Sequence, residues 1–388
     1  MMTALLPSYA RQNLQFSHGN GATLVATDGR KYLDFAAGVA VTSLGHCPPE
    51  LVQVLQAQAA KLWHVSNLYC IPEQEHLAQH LVALSFADRV FFCNSGAEAN
   101  EAAIKMARRF HYVAGRTKRQ RILTFAGAFH GRTLANLAAG NIAKHMEGFA
   151  PHMPGFDQVE RDLKAVRAAV TEDIAAIMIE PIQGEGGLNV VAPEFMRGLR
   201  ALADQHGILL IFDEVQSGIG RTGKVFAHEW SGITPDIMTL AKGLGGGFPV
   251  AACLATEAVG AAMIAGSHGS TFGGNPLAMV VADKVLDIIS KPAFLARVAT
   301  KGAEFKEKLA ALSAPHRQGA FFDEVRGQGL MIGLRCIASV ESGKMQEVLQ
   351  NHGMLTVGAR DNVLRILPPL NASDDDFAQA LAIIEGGV

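Results

Sequence analysis

Five consecutive apolar residues, Ile208 to Phe212, run directly into Asp213, and that stretch narrows the folds open to this chain. A strand without polar alternation has both faces covered, the situation of a parallel strand inside an α/β sheet. Asp213 then stands at the carboxyl end of the strand, the edge at which open α/β sheets bind ligands. The flanking pattern agrees. Val90 to Cys93 reads as a strand before a helix over Ala97 to Phe110, and Ile174 to Ile179 as a strand before a helix over Pro193 to His206. Pro193 suits a first helical turn and Gly207 a helix end, so this helix connects two parallel strands. Beyond about Pro292, amphipathic helices mix with short strands near Gly329 to Leu334 and Val363 to Leu367. The expected architecture is α/β. A large domain with a mostly parallel sheet flanked by helices occupies residues 46–290, and a smaller α+β domain is built from 291–388 with the N-terminal segment 1–45.

Composition bounds the partners. With 388 residues, 49% of them hydrophobic, the chain can bury a large core. A formal charge of −2 without runs of like charge points away from nucleic acid and from anionic membranes, and toward small-molecule chemistry. Cys47, Cys70, Cys93, Cys253 and Cys336 are scattered and form no CxxC pair, which fits a reducing cytoplasm rather than a disulfide framework. The opening MMTALLPSYARQNLQF lacks a basic segment followed by an apolar one, so no secretory leader is read there. Gly243 to Gly266 is long and apolar, but Pro249, Glu257 and several glycines interrupt it, and it reads as buried core and loop.

Leu240-Ala-Lys242 enters a run of glycines some thirty residues after Asp213. A lysine for a Schiff base and a carboxylate to keep a pyridine nitrogen protonated are the two groups pyridoxal phosphate requires. Taken singly, Asp213 is a loop cap and Lys242 a solvated lysine, so the companion motifs decide. Cys93-Asn-Ser95-Gly96-Ala97-Glu98 ends a strand and opens a helix, where backbone N–H groups and the helix dipole favour an anion. By itself it is an ordinary serine cap. Ala128-Phe129-His130-Gly131-Arg132-Thr133 offers a ring on which a flat cofactor can stack and a guanidinium for a carboxylate; alone it is a core phenylalanine beside a surface arginine. His268 to Pro276 is a polar loop rich in donors, or an ordinary turn.

Six motifs stand in series: SGAEANEAAIK from Ser95, AFHGRT from Ala128, EPIQGEGG from Glu180, FDEVQSGIGRTG from Phe212, LAKGLGGGFP from Leu240 and HGSTFGGNP from His268. In order and spacing they resemble the class III, pyridoxal-phosphate-dependent aminotransferases, and the resemblance runs from Gly29 to Leu370. It implies the fold type I of PLP-dependent transferases, in a homodimer whose active sites are shared across the interface. It also implies roles. Lys242 would form the Schiff base and shuttle the proton, and Asp213 would pair with the pyridinium nitrogen. Phe129 and Val215 would sandwich the ring, and Gln216 would touch its hydroxyl, with Glu214 in the same run. Gly96 and Ala97 would bind the phosphate, completed by Thr271 from the partner subunit. Ser270 would lie near the substrate.

The chemistry of moving a terminal amino group then narrows the substrate. The donor's reacting carbon bears no carboxylate, whereas that of the acceptor, 2-oxoglutarate, bears one. Arg132 can hold the distal carboxylate of both, since both backbones have five carbons. By resemblance, Arg365 meets the carboxylate beside the reacting carbon, and Glu185 neutralises it while the donor is bound, because an unpaired buried cation is costly. Ornithine aminotransferases carry tyrosines where this chain has Thr23 and Val39; their absence favours an acylated ornithine, acetyl first and succinyl next. An N-succinyl-diaminopimelate precursor follows, then ornithine or 4-aminobutyrate.

Two further signals are set aside. His76 and His80 stand one helical turn apart, half a zinc site, but Leu77 occupies the position of the HExxH glutamate, and the pair reads as a helix surface with no metal. Gly327-Gln-Gly329 to Gly333 loosely resembles a dinucleotide fingerprint, the basis of a rival nicotinamide oxidoreductase, but its last glycine is one residue late and it lies near the C-terminus. A catalytically dead binding protein on the same fold is a third reading; intact Lys242 and Asp213 argue against it.

Overall fold

The strand that carries Asp213, Leu209–Asp213, lies in the middle of a seven-stranded sheet. The computed structural model describes residues 4–386; residues 1–3, part of the segment read as free of a secretory leader, and 387–388 lie outside the described residues. The sheet runs Arg89–Cys93, Ala251–Ala255, Ile237–Leu240, Leu209–Asp213, Ile174–Ile179, Arg121–Phe125, Phe156–Val159. Only Ala251–Ala255 is antiparallel to its neighbours. Phe212 pairs with Met238 on one side and Ile179 on the other.

Strand periodicity explains the unbroken apolar run. Ile211 points to one face, against Ala103, Ala107 and their neighbours on the helix Gly96–Val113, while Leu210 and Phe212 point to the other, against Leu199, Leu202 and Ala203 of the helix Pro193–His206. That second helix has the expected bounds: Pro193 opens it, and Gly207 closes it in the left-handed region at φ 60°. The segment Gly243 to Gly266 contributes Ala251–Ala255 to the sheet, and among the described residues no helix is long and apolar enough to cross a membrane.

Beside this sheet the described residues form two four-stranded sheets and a two-stranded pair, Ile182–Gln183 with Asn189–Val190. Phe16–Asn20, Thr23–Ala26 and Lys31–Asp34 form an antiparallel meander that is completed by Met354–Leu355, parallel to Lys31–Asp34 with Leu33 opposite Met354. The other four-stranded sheet is Phe322–Gln328, Met331–Cys336, Val363–Ile366 and Val357–Ala359. One expectation needs correction here. Gly329 and Leu330 do not belong to a strand; they turn the hairpin between Gln328 and Met331. Gly329 has φ 56°, and a Cβ there would meet the Thr222 backbone at 2.5 Å. The glycine run at 327–333 is thus a hairpin rather than a turn from strand to helix, which removes the structural context a dinucleotide fingerprint needs.

Candidate active site

Asp213 ends its strand with 4% of its surface exposed, and a carboxylate at that depth needs donors. Three converge on it. His130 Nδ1 and Asn100 Nδ2 each lie 2.8 Å from Oδ2, and the Val215 amide donates to Oδ1 at 3.0 Å. Thr239 donates to Asn100 Oδ1 at 2.7 Å, which fixes the amide so that its NH2 faces Asp213. Burial works against the His130 cation, but the hydrogen bond and charge of Asp213 outweigh it, and the imidazole pKa is raised. Behind this pair, burial pushes the Glu180 carboxyl up to about 7; it accepts from the amides of Phe129 at 2.8 Å and Gly184 at 3.3 Å.

Lys242 follows the neighbouring strand Ile237–Leu240 and opens a short 3-10 turn, Lys242–Leu244, at φ 39°. A lysine in the left-handed region is uncommon, and such strain collects at functional sites. Ser43 Oγ ties the turn down by donating to the Gly243 carbonyl at 3.0 Å. Packing around the ammonium penalises its charge, and the pKa falls to about 8.

The helix Gly96–Val113 aims its N-terminus at the same space. Ser95 caps it by accepting from the Glu98 amide at 3.3 Å, and the amides of Gly96 and Ala97 have no intrahelical partner, as in any first turn. Position 96 requires glycine because a Cβ would stand 2.7 Å from Val215 Cγ1. Arg132 lies 5.6 Å from the Phe129 ring centroid and donates to His145 Nε2 at 3.1 Å. On the far side, Arg365 is 2% exposed: its Nη1 meets Glu185 Oε1 at 2.7 Å, and its Nη2 donates to the Gly358 carbonyl at 2.9 Å.

Asp213, Lys242, Phe129, Val215, Gln216, Gly96, Ala97, Arg132 and Glu185 line one cavity of about 440 Å3. Arg365 lies behind Glu185 and Gln216 rather than on the wall. Glu214 and Ser270 are elsewhere, as is Thr271, whose expected place is the partner subunit's site. Glu214 turns away, as the neighbour of Asp213 at a strand end must, and accepts from the Ala227 and His228 amides and His228 Nδ1. Ser270 accepts from Asn94 Nδ2 at 3.3 Å and from the Gly273 amide at 3.0 Å, and Thr271 is exposed; neither lines the cavity of its own chain. Reading the sequence also missed partners. The motifs give no role to His130, Asn100 or Thr239, although a histidine beside the stacking phenylalanine and an asparagine in the second turn of the helix are signals of one.

The donor set fits pyridoxal phosphate. The cavity offers a buried carboxylate with a second partner behind it, a lysine with a depressed pKa, an aromatic and a branched aliphatic wall, and a helix N-terminus for a phosphate. His130 Nε2 on the cavity wall and Arg365 Nε behind it are buried without hydrogen-bond partners among the described residues.

The chain belongs to the class III aminotransferases: the family model described as "Aminotransferase class-III" matches residues 7–387. It is a pyridoxal-phosphate-dependent aminotransferase of fold type I. An acetylornithine aminotransferase from Mesorhizobium japonicum is 54% identical over 386 residues, covering 99% of this chain and 96% of that protein. Among solved structures, an N-acetylornithine aminotransferase from Stenotrophomonas maltophilia superposes with a TM-score of 0.85 at 38% identity, covering 98% of this chain and 96% of its own. An ornithine aminotransferase from Toxoplasma gondii, with pyridoxal phosphate at partial occupancy in its active site, gives 0.94 at 30% identity, over 99% and 92%. Backbone likeness and sequence identity thus rank the two differently. Substrate choice is carried by side chains, so identity is the better guide to it.

Proposed function

We propose that this enzyme transfers the δ-amino group of N2-acetylornithine to 2-oxoglutarate, leaving N-acetylglutamate 5-semialdehyde and glutamate, as a step of arginine biosynthesis in the cytoplasm. The observation that carries the reading is the Glu185–Arg365 pair at 2.7 Å, because it joins an arginine that is 2% exposed to a glutamate whose side chain is still 32% exposed. Glu185 covers the guanidinium while a donor without an adjacent carboxylate reacts. It swings aside when 2-oxoglutarate or glutamate brings its own carboxylate. Arg132 holds the distal carboxylate in both halves.

When bound, the cofactor supplies an aldehyde that takes up the amino group and an electron-withdrawing ring that acidifies the neighbouring carbon. Lys242 would hold it covalently at rest and, once displaced, would take the proton from the carbon bearing the amino group; burial, which lowers the lysine pKa to about 8, favours the neutral amine that this needs. Asp213 would hold the ring nitrogen in its cationic form. Phe129 and Val215 would clamp the ring, Gln216 would meet its hydroxyl, and the Gly96 and Ala97 amides would take the phosphate.

Thr271 completes the phosphate site of a second copy, so the working unit is a homodimer. Exposed Trp63, Leu68, Tyr69 and Phe272 support this: His64 packs on Phe272 at 5.5 Å and Asn67 donates to the Ser270 carbonyl, which places the apolar surface around the Thr271 loop. The acetyl group is favoured by the name of the Mesorhizobium relative and by Thr23 and Val39. No tyrosine stands at those positions to receive a free α-ammonium. Comparing kcat/KM for acetylornithine, succinylornithine, ornithine and 4-aminobutyrate, with 2-oxoglutarate as acceptor, tests the assignment. Acetylornithine should exceed ornithine by at least about tenfold, roughly 1.4 kcal/mol, since ornithine would bury an unpaired ammonium. Equal constants would overturn it.

A further inference from the structure

The half zinc site seen in the sequence has its other half on a neighbouring helix. His76 and His80 lie one turn apart on Pro72–Leu84, and Asp283 and Asp287 lie one turn apart on Pro276–Ile289, which packs against it. The pairs face each other. His80 Nδ1 is 2.9 Å from Asp283 Oδ1, and His76 Nε2 is 3.4 Å from Asp283 Oδ2. His80, Asp283 and Asp287 each present a ligand atom within 4.8 Å of the other two.

We propose that His80, Asp283 and Asp287, with water as a fourth ligand and His76 standing beside Asp283, form a binding site for a divalent transition metal, zinc in the first instance, that bridges the two helices. Zinc bonds of about 2.0–2.2 Å in a tetrahedron set neighbouring ligand atoms about 3.3–3.6 Å apart, so the 2.9 Å between His80 Nδ1 and Asp283 Oδ1 has to widen by only about half an ångström to admit the ion. Mixed imidazole and carboxylate ligands suit zinc and its neighbours, whereas calcium and magnesium take all-oxygen shells. His80 and Asp283 are partly buried, with 23% and 19% of their side chains exposed, so half of the site is held in place. A cavity of about 460 Å3 lined by His76, Asp283 and Lys284 adjoins it, giving the ion a way in and room for a water ligand. Lys284 pairs with Asp287 Oδ2 at 2.7 Å and competes with the metal for that carboxylate.

The two bridged helices also hold the loop 268–276. Asn275 caps the second by accepting from the Ala278 amide at 2.9 Å. Gln74, in the first turn of the other helix, donates to Asn67 Oδ1 at 2.9 Å, and Asn67 donates to the Ser270 and Gly273 carbonyls. The metal site thus lies behind the loop that carries Ser270 and Thr271, outside the cavity, and it is the same whichever amino donor the enzyme uses.

The test uses the cofactor-loaded enzyme, stripped of metal with EDTA and titrated with zinc against a chromogenic indicator, alongside thermal unfolding. About one zinc should bind per chain and raise the unfolding temperature. His80→Gln and Asp283→Asn should each weaken that binding by at least about tenfold while leaving the cofactor's absorbance and the turnover rate unchanged. Lys284→Met should tighten it, since the competing ammonium is gone. His76→Gln, at a position with 71% of its side chain exposed, is the fallback should a buried variant fail to fold, and it too should bind more weakly. Zinc binding that is equal in wild type and these variants, or no binding above buffer background, would overturn the proposal; so would tighter binding of calcium or magnesium than of zinc.

Discussion

His130 Nδ1 lies 2.8 Å from Asp213 Oδ2, with 0% and 4% of the two side chains exposed. The imidazole therefore stands behind the carboxylate as a buried charge-assisted donor, and Asn100 and the Val215 amide supply the remainder of its hydrogen bonds. His130→Phe keeps the volume close and removes that donor. We expect it to lower the stability of the cofactor-free protein by about 1.5–3 kcal/mol, the range for a hydrogen bond to a charged group, and to weaken cofactor binding as well. Urea unfolding with and without cofactor measures both, and an unchanged midpoint in the cofactor-free protein would contradict the assignment.

Much of this architecture is legible locally. Ile174–Ile179 and Pro193–His206 have the bounds that apolar runs, a first-turn proline and a closing glycine predict. What local pattern does not reveal is pairing at a distance. Leu33 lies beside Met354 across some three hundred residues, and nothing in either stretch marks the other. The site divides in the same way. Motifs placed Lys242, Asp213, Phe129 and Gly96 around one cavity, since each sits on a turn with its own chemistry. Glu214 shares their contiguous motif, yet alternation at a strand end sends adjacent side chains to opposite faces, and it accepts from His228 instead. His80 and Asp283 show the converse: each is ordinary alone, and only helix packing brings them together.

Lys242 gives a pH prediction. The neutral amine is the form that captures the aldehyde of the cofactor, and burial lowers the lysine pKa from 10.5 to about 8. Reactive amine therefore accumulates as pH rises through about 8. Covalent capture by the cofactor-free protein should climb over that window and level off above it, measured by borohydride trapping and peptide mapping. A rise that continues beyond pH 10 would mean an ordinary lysine. Lys242→Ala should trap nothing at any pH and lose turnover, while still binding the cofactor non-covalently.

Asp213→Asn keeps the shape of the side chain and removes its charge. The rate should fall by at least about a hundredfold, the scale seen when one preorganised electrostatic contact is lost, while cofactor affinity falls far less. Single-turnover deprotonation of the donor at the wild-type rate would remove Asp213 from its role.

The central claim is that one cavity serves two unlike substrates because Glu185 covers Arg365 for one and releases it for the other. Stopped-flow absorbance of each half-reaction, in wild type and Glu185→Gln, tests it most directly. With acetylornithine the variant leaves Arg365 unpaired, and its rate should fall by at least about tenfold, or 1.4 kcal/mol. With glutamate the arginine is already free to meet the substrate carboxylate, and the rate should hold or rise. An ordinary structural ion pair would move both halves alike, so parallel changes with the two substrates would contradict the account.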